Sequence, residues 1–182
     1  MTKFTKLSII IPCYNEEKTI HRILDKVNAV QLQGGIEKEI ILVNDCSKDG
    51  TKEALEKYIK EHSQVNYRLL HHEVNKGKGA ALHTGIQHAT GDYLIIQDAD
   101  LELFPSDIPS MVNAMHELKI PFVNGSRYLP GVLRTQASFK RYFANKIFTL
   151  LTSLFIDIHL TDMACGYKLF TRELVNKLTL KE

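Results

Sequence analysis

Short apolar runs alternate with amphipathic stretches from the first residues onward. Leu7 to Ile11 (LSIII), Glu39 to Val43 (EIILV), Tyr67 to Leu70 (YRLL) and Tyr93 to Ile96 (YLII) have strand length and strand-forming residues. Between them, Glu16 to Val30, Thr51 to Glu61 and Lys78 to Ala89 carry apolar residues at helical spacing. In the first of these, Ile20, Ile23, Leu24 and Val27 share one face, and Asn15 is the predicted N-cap. Asp49-Gly50-Thr51 opens the next helix with a turn and a cap. Such repetition predicts an α/β fold with right-handed crossovers and a mainly parallel sheet covered on both faces. Ligands of these sheets sit outside the carboxyl ends of the strands. Pro12 to Glu16, Asn44 to Asp49 and Gln97 to Glu102 all fall there, so distant polar residues converge on one edge.

From Ser106 the pattern changes. A helix over Ser106 to Leu118 leads to a strand, Pro121 to Gly125, and then to the basic stretch GSRYLPGVLR. A long helix follows, Phe139 to Ile156, whose second half (IFTLLTSLFI) reads as apolar nearly all round. DMACGYKLF then predicts a turn and a short strand. The run Ile147 to Ile156 either packs on the sheet or touches lipid; the reading taken is part core, part exposed near a bilayer. No repeat or low-complexity linker divides the chain, which predicts one domain over residues 1–182.

Composition narrows the classes. The 182 residues are 44% hydrophobic and 24% charged, with a net charge of +2. Acids and bases are interspersed, which argues against a nucleic-acid partner for the surface as a whole. Cys13, Cys46 and Cys165 form no CxxC pair and no Cys/His ligand spacing, so zinc is not expected. They read as reduced thiols of a cytosolic protein. The apolar run in MTKFTKLSIIIP is too short for a signal-peptide core, and no segment approaches the roughly 20 apolar residues of a membrane span. Any work at a membrane is therefore expected from the cytoplasmic side, peripherally at its inner face.

The candidate chemistry starts at QDADLE. Asp98 and Asp100, two apart, share a face of an extended backbone, and Glu102 follows. Carboxylates so close repel unless a proton or a cation intervenes. Mg²⁺ or Mn²⁺ resolves the conflict, typically with one or two carboxylates plus phosphate oxygens and water. By spacing alone, a capped turn with solvated neighbours is an equally good reading. Lys76 and Lys78 sit in a glycine-bearing loop before a helix N-terminus, where amides, dipole and ammonium favour phosphate; a solvated lysine pair is the bland alternative. NAD binding is disfavoured, because the turn after the first strand reads PCYNEE, without glycine, and Gly77-Lys78-Gly79 is neither that fingerprint nor a P-loop.

Taken in order, LSIIIPCYNE, EIILVNDCSKDGT, NKGKGAA, QDADLE and GSRY resemble the family-2 glycosyltransferases, and most closely the branch of dolichol-phosphate mannosyltransferase and bacterial polyprenyl-phosphate glycosyltransferases. TDMACGYKLF belongs to the same likeness. The resemblance implies a GT-A fold and an inverting transfer of a hexose, such as mannose or glucose, from a nucleotide-diphosphate sugar to a polyprenyl phosphate. It makes QDADLE the DxD-type metal site. Asp98 would face the ribose or bridge through water to the ion, Asp100 would ligate it, and Glu102 would be a further metal-site residue. Pro12, Tyr14 and Glu16 would line the base and ribose pocket. Asp45 would contact the base, with Asn44 where many relatives carry a second acid. Lys78 would meet the diphosphate.

For the acceptor, a hydroxyl usually needs a general base. No clear base is visible, and the QxxRW motif of the processive synthases is absent. A phosphate monoester, with a second pKa of roughly 6, is already ionised and needs only holding. Arginine suits that task through its planar fork. Arg127 in GSRY matches the family arginine near the acceptor phosphate, and Arg141 in FKRYFAN is the candidate for a second. Lys168 in CGYK matches a position near the diphosphate or acceptor, and Asp162 opens that motif. The expected partners are thus a nucleotide sugar of the GDP-mannose or UDP-glucose type, a polyprenyl phosphate and a membrane surface. Transfer to a saccharide hydroxyl and a non-catalytic nucleotide-sugar-binding module are the alternatives. Members of that branch continue past a GYKLF-like motif, so the chain is expected to be either truncated or a short natural form.

Overall fold

A computed structural model describes residues 4–128 and 139–178, except the side chains of Phe139 and Arg141. Its elements are β1 Lys6–Cys13, α1 Ile20–Ala29, β2 Glu37–Asn44, α2 Thr51–Glu61, β3 Tyr67–His71, α3 Gly77–His88 and β4 Tyr93–Ile96. They are followed by α4 Ile108–Leu118, β5 Phe122–Asn124, α5 Phe139–Ile156, β6 Lys168–Thr171 and α6 Arg172–Lys177. The strands form one sheet in the order β3-β2-β1-β4-β6-β5. The β1–β2, β1–β4 and β2–β3 pairs are parallel, as expected of strands joined by helical crossovers. β6 runs against both β4 and β5. The chain re-enters the sheet at its carboxyl edge, where Lys168 pairs with Asn124, so β6 can only run backwards from there.

β1 is apolar at most of its positions, and both of its faces are covered. Leu7, Ile9 and Ile11 pack in a core with Ile20, Ile23, Leu24 and Val27 of α1 and with Ile108, Met111, Val112 and Met115 of α4. Ile10 points the other way, joining Ile41, Val43 and Leu94 against Ala81 of α3 and Val175 of α6. Gly85 lets α3 approach: a Cβ there would lie 2.4 Å from Ile10 Cγ2.

Three local expectations change. α1 starts at Ile20, because Asn15 adopts φ 56 instead of capping and 16–19 form a turn closed by Ile20 N–H to Glu16 C=O at 2.9 Å. Pro12 lies inside β1, opposite Val43. Its missing N–H costs no ladder bond: β4 pairing ends at Ile10, and Cys13 C=O, pointing to the other side, accepts from Asp45 N–H. α5 keeps its predicted bounds, but its buried residues are Asn145 and Thr149 while most of its large apolar side chains are exposed. Among the described residues, no helix is long and apolar enough to cross a membrane.

Candidate active site

Parallel strands deliver their following loops to one edge, and those loops are tied to one another there. After β1, Asn15 N–H donates to Ser47 Oγ (3.1 Å), Asn15 Oδ1 accepts from Lys48 N–H (2.8 Å), and Glu16 N–H donates to Thr51 Oγ1 (2.7 Å). The β1 and β2 loops are thus joined by three hydrogen bonds. Tyr14 stands exposed at their rim, and the Glu16 carboxylate accepts from Thr19 Oγ1. Asp49 behaves as a helix cap, accepting from Thr51 N–H at 3.1 Å.

Asn44 and Asp45 are both buried. Asn44 Oδ1 accepts from Ser47 N–H and Oγ, and its Nδ2 lies 3.2 Å from His71 Nδ1. Asp45 holds the loop before α3, accepting from Lys76 N–H (2.9 Å) and Gly77 N–H (2.8 Å), with His72 Nδ1 at 2.6 Å. Burial disfavours its charge, but the two amides and His72 outweigh that and hold its carboxyl below the usual range. Its oxygens set the shape of the 75–77 loop; His72, anchored on Thr84 Oγ1 at 2.9 Å, completes the clamp. Gly77 sits at φ 85, which only glycine adopts freely, and it starts the turn that presents Lys78.

Lys78 Nζ lies 2.6 Å from Asp98 Oδ1. The contact is an ion pair without hydrogen-bond alignment, so this buried oxygen receives no hydrogen bond. On its other side the backbone presses close: a Cβ on Gly166 would lie 2.5 Å from Asp98 Oδ2. Asp100 follows on the exposed turn and accepts from Glu102 N–H at 3.0 Å. Partial desolvation of its carboxyl by the surrounding loops, with Asp98 and Glu102 near, raises its pKa above the ordinary value despite that amide. Among the described residues, no three His, Cys, Asp or Glu side chains form a ready metal cage. The two aspartates instead suit an ion that takes one or two carboxylates and completes its shell with phosphate and water. The buried Asp98 oxygen lacking a hydrogen bond, already satisfied by a cation, fits that role.

Glu102 Oε2 lies 3.7 Å from Arg127 Nη1. The other face of Arg127 is closed: Nε and Nη2 donate to Asp162 Oδ2 and Oδ1 at 2.7 and 3.1 Å, and its amide donates to Oδ2 at 3.0 Å. Asn145 Nδ2 of α5 adds a fourth donor at 2.9 Å. Burial opposes charge on Asp162, but Arg127 and Asn145 overcome it and depress the carboxyl pKa. Half-buried Lys168 donates to Asn124 Oδ1 (2.8 Å) and Cys165 C=O (3.1 Å), and burial lowers its pKa. Arg141 lies on α5, but its side chain is outside the described residues.

Of the predicted residues, Asp45 and its loop, Lys78, Asp98, Asp100, Glu102, Arg127 and Asp162 follow one another by chain neighbourhood or contact along the sheet edge, while Glu16 turns to Thr19 and Asn44 to Ser47 and His71. Tyr14 and Pro12 flank it. His72 and Asn145 were not singled out from sequence. His72 gave no signal, being 27 residues from Asp45; Asn145 was readable as the polar interruption of an apolar helix.

Comparison with known proteins identifies the family and the fold. The profile described as Glycosyl transferase family 2 matches residues 8–179. Dolichyl-phosphate beta-glucosyltransferase ALG5A of Trichomonas vaginalis is 34% identical over 180 residues, covering 92% of this chain and 53% of that protein. Dolichyl-phosphate beta-glucosyltransferase of Dictyostelium discoideum is 32% identical over 184 residues, covering 94% and 56%. The chain thus spans about half the length of the curated relatives it matches. Two solved structures share its fold. Mannosyltransferase PcManGT of Pyrobaculum calidifontis, in complex with GDP-Man and Mn²⁺, superposes with a TM-score of 0.69 at 22% identity over 97% of this chain and 47% of that one. Glucosyl-3-phosphoglycerate synthase of Mycobacterium tuberculosis, with Mn²⁺, UDP and glucosyl-3-phosphoglycerate, gives 0.70 at 20% identity, covering 96% and 59%. With the GT-A architecture and a match across residues 8–179, this chain belongs to glycosyl transferase family 2.

Proposed function

We propose that this chain is the catalytic domain of a glycosyltransferase that moves a hexose from a nucleotide-diphosphate sugar to a polyprenyl phosphate. The observation that carries the reading is the order of charge along the sheet edge: Lys78, then Asp98 and Asp100, then Glu102 and Arg127. A diphosphate suits the first half of that line and a second phosphate suits its end. The names of the dolichyl-phosphate glucosyltransferase relatives support a lipid phosphate acceptor and favour glucose.

In this reading Asp98 and Asp100 hold Mg²⁺ or Mn²⁺, with Glu102 beside them. When bound, the ion offsets charge developing on the departing nucleoside diphosphate. Lys78 shifts from Asp98 to the diphosphate. Tyr14, with the loop clamped by Asp45, flanks the base. Asp162 holds the guanidinium of Arg127 in place, leaving Nη1 directed toward Glu102 and the site. That nitrogen, with Lys168 nearby, aims an acceptor phosphate whose oxygen is already ionised, so no residue has to remove a proton. Attack from the face opposite the leaving group inverts the anomeric carbon. Such an acceptor is anchored in a bilayer, so the site works at a membrane surface.

The test is transfer of radiolabel from UDP-glucose or GDP-mannose to a short-chain polyprenyl phosphate, read by extraction into organic solvent. Labelled lipid from UDP-glucose, lost in Asp100→Ala and strongly reduced in Arg127→Ala, is the expected result. Label passing only to soluble sugar acceptors would replace the lipid phosphate with a saccharide hydroxyl.

A further inference from the structure

His72 is the first residue after β3, and its N–H extends the ladder to Asn44 C=O at 2.9 Å. Its side chain is buried and both ring nitrogens are engaged: Nδ1 lies 2.6 Å from Asp45 Oδ1 and Nε2 2.9 Å from Thr84 Oγ1. An ionised carboxylate can only accept, so Nδ1 carries a proton and donates to Asp45. Nε2 accepts from the Thr84 hydroxyl when the ring is neutral and donates to it when the ring is charged. The Asp45 bond survives in both states. The imidazole is therefore a fixed donor here and not a proton switch.

What Asp45 does with its other lone pairs gives that donor its purpose. Oδ1 also accepts from Lys76 N–H and Oδ2 from Gly77 N–H, and its C=O accepts from Asn75 Nδ2 at 3.1 Å. Cys46 Sγ donates to Glu73 C=O at 3.4 Å. Lys76 sits at the N-cap of α3 with no side-chain cap bond of its own, so Asp45 supplies from another loop the acceptor that a capping residue would supply locally. The bonds close a circuit. Thr84, two turns into α3, anchors His72; His72 holds Asp45; Asp45 holds the first turn of the same helix, from which Lys78 reaches Asp98.

Without the circuit this turn would be loose. Residues 75–79 read Asn-Lys-Gly-Lys-Gly, and glycine loses more backbone freedom on ordering than any other residue. At neither Gly77 nor Gly79 would a Cβ meet anything within 4 Å, so side-chain packing gives the turn little support there. The two backbone amides grip Asp45 from the loop, and His72 grips it from β3. A diphosphate meeting a loose turn would have to order it on binding, which weakens affinity; a turn held beforehand avoids that loss.

We propose that His72 is a positioning residue for donor binding: acting through Asp45, it holds the first turn of α3 and Lys78 ready for the diphosphate of a nucleotide sugar. This role rests on the donor reading above, and half of its test uses no donor.

Two substitutions take the ring apart. Asparagine puts its Nδ2 near the place of the imidazole Nδ1, and glutamine puts its Nε2 near the place of the imidazole Nε2. His72→Asn thus keeps a donor for Asp45 and gives up Thr84; His72→Gln keeps Thr84 and gives up that donor. In the free chain, amide hydrogen exchange at Lys76 and Gly77 should quicken by about tenfold in His72→Gln and stay near the parent's in His72→Asn. Calorimetry with UDP-glucose and Mn²⁺ should show the same order, with affinity about tenfold weaker in His72→Gln and within about threefold of the parent in His72→Asn. Thermal melting confirms that both are folded. If His72→Gln is not, Thr84→Val, which leaves the ring in place but unanchored, should show the quickened exchange instead. Unchanged exchange at Lys76 and Gly77 overturns the proposal, as do equal losses of donor affinity in the asparagine and glutamine variants, which would make the ring core packing alone. A parent that binds neither UDP-glucose nor GDP-mannose, with exchange as expected, rejects the donor reading and keeps His72 as the prop of the turn. Donor binding by the parent and both variants alike rejects the positioning role and keeps the donor reading.

Discussion

Asp162, fully buried, grips the guanidinium of Arg127 with both carboxylate oxygens at 2.7 and 3.1 Å. The sequence placed Arg127 near an acceptor phosphate, on the strength of a planar fork that can bind two phosphate oxygens. The fold instead fixes two of its three nitrogens and leaves Nη1 toward Glu102. A pair this buried stabilises little against an apolar replacement, yet breaking it strands a charge. Asp162→Ala should therefore lower unfolding free energy by about 3–5 kcal/mol. Asn145→Ala, which removes one donor to the same carboxylate, should lose about 1 kcal/mol. Urea denaturation measures both; equal losses would refute the central place of the Arg127 contact.

Stability against pH follows from the same carboxylates. Asp162 and Asp45 both have pKa values depressed in the fold, so each contributes stability above the unfolded carboxylate pKa of about 3.9. That contribution is lost as pH falls from there through the lower folded values. The urea midpoint should thus drop steeply below about pH 4, and less steeply in Asp45→Asn. A variant with the same acid slope as the parent would contradict the assignment.

Lys78 and a metal ion compete for Asp98. Without donor, Lys78→Ala should strengthen Mn²⁺ binding, because the 2.6 Å ion pair no longer has to open. With donor present the sign reverses: losing the ammonium should weaken nucleotide-sugar affinity by about tenfold. Calorimetry on both titrations checks this. Loss of affinity in both would make Lys78 a general support of the loop.

The glycines of α3 make a stability test that no ligand enters. Gly85→Ala drives a methyl into Ile10, so it should cost about 1–3 kcal/mol. Gly79→Ala meets nothing within 4 Å and should gain about 0.4–1 kcal/mol by reducing the freedom of the unfolded chain. Thermal melts of the two should move in opposite directions.

Much of the frame was legible because it rests on local periodicity. The run from Leu7 to Ile11 and the face of Ile20, Ile23, Leu24 and Val27 announce strand and helix without any tertiary information, and the acids of QDADLE mark the turn that follows β4. What could not be read depends on contacts between distant residues. Asn15 looked like a cap, but its bonds to Ser47 and Lys48 pull it into a left-handed turn. The direction of β6 follows from where α5 and residues 157–167 return the chain. Asp45 was expected at the nucleotide base, yet its oxygens face Lys76, Gly77 and His72, whose positions relative to it only the fold sets. In α5 the hydrophobic count hid the polar stripe: Asn145 and Thr149 are one turn apart, and it is they that face the protein.

Calorimetry tests whether the Asp98–Asp100 loop binds a nucleotide sugar through a divalent ion. The chain is titrated with UDP-glucose and with GDP-mannose, each in Mn²⁺ and in chelator, beside Asp100→Ala. Binding of UDP-glucose that needs Mn²⁺, and that vanishes in the variant while its thermal melt stays unchanged, is the expected result. Binding that persists in chelator, or survives intact in Asp100→Ala, would contradict it.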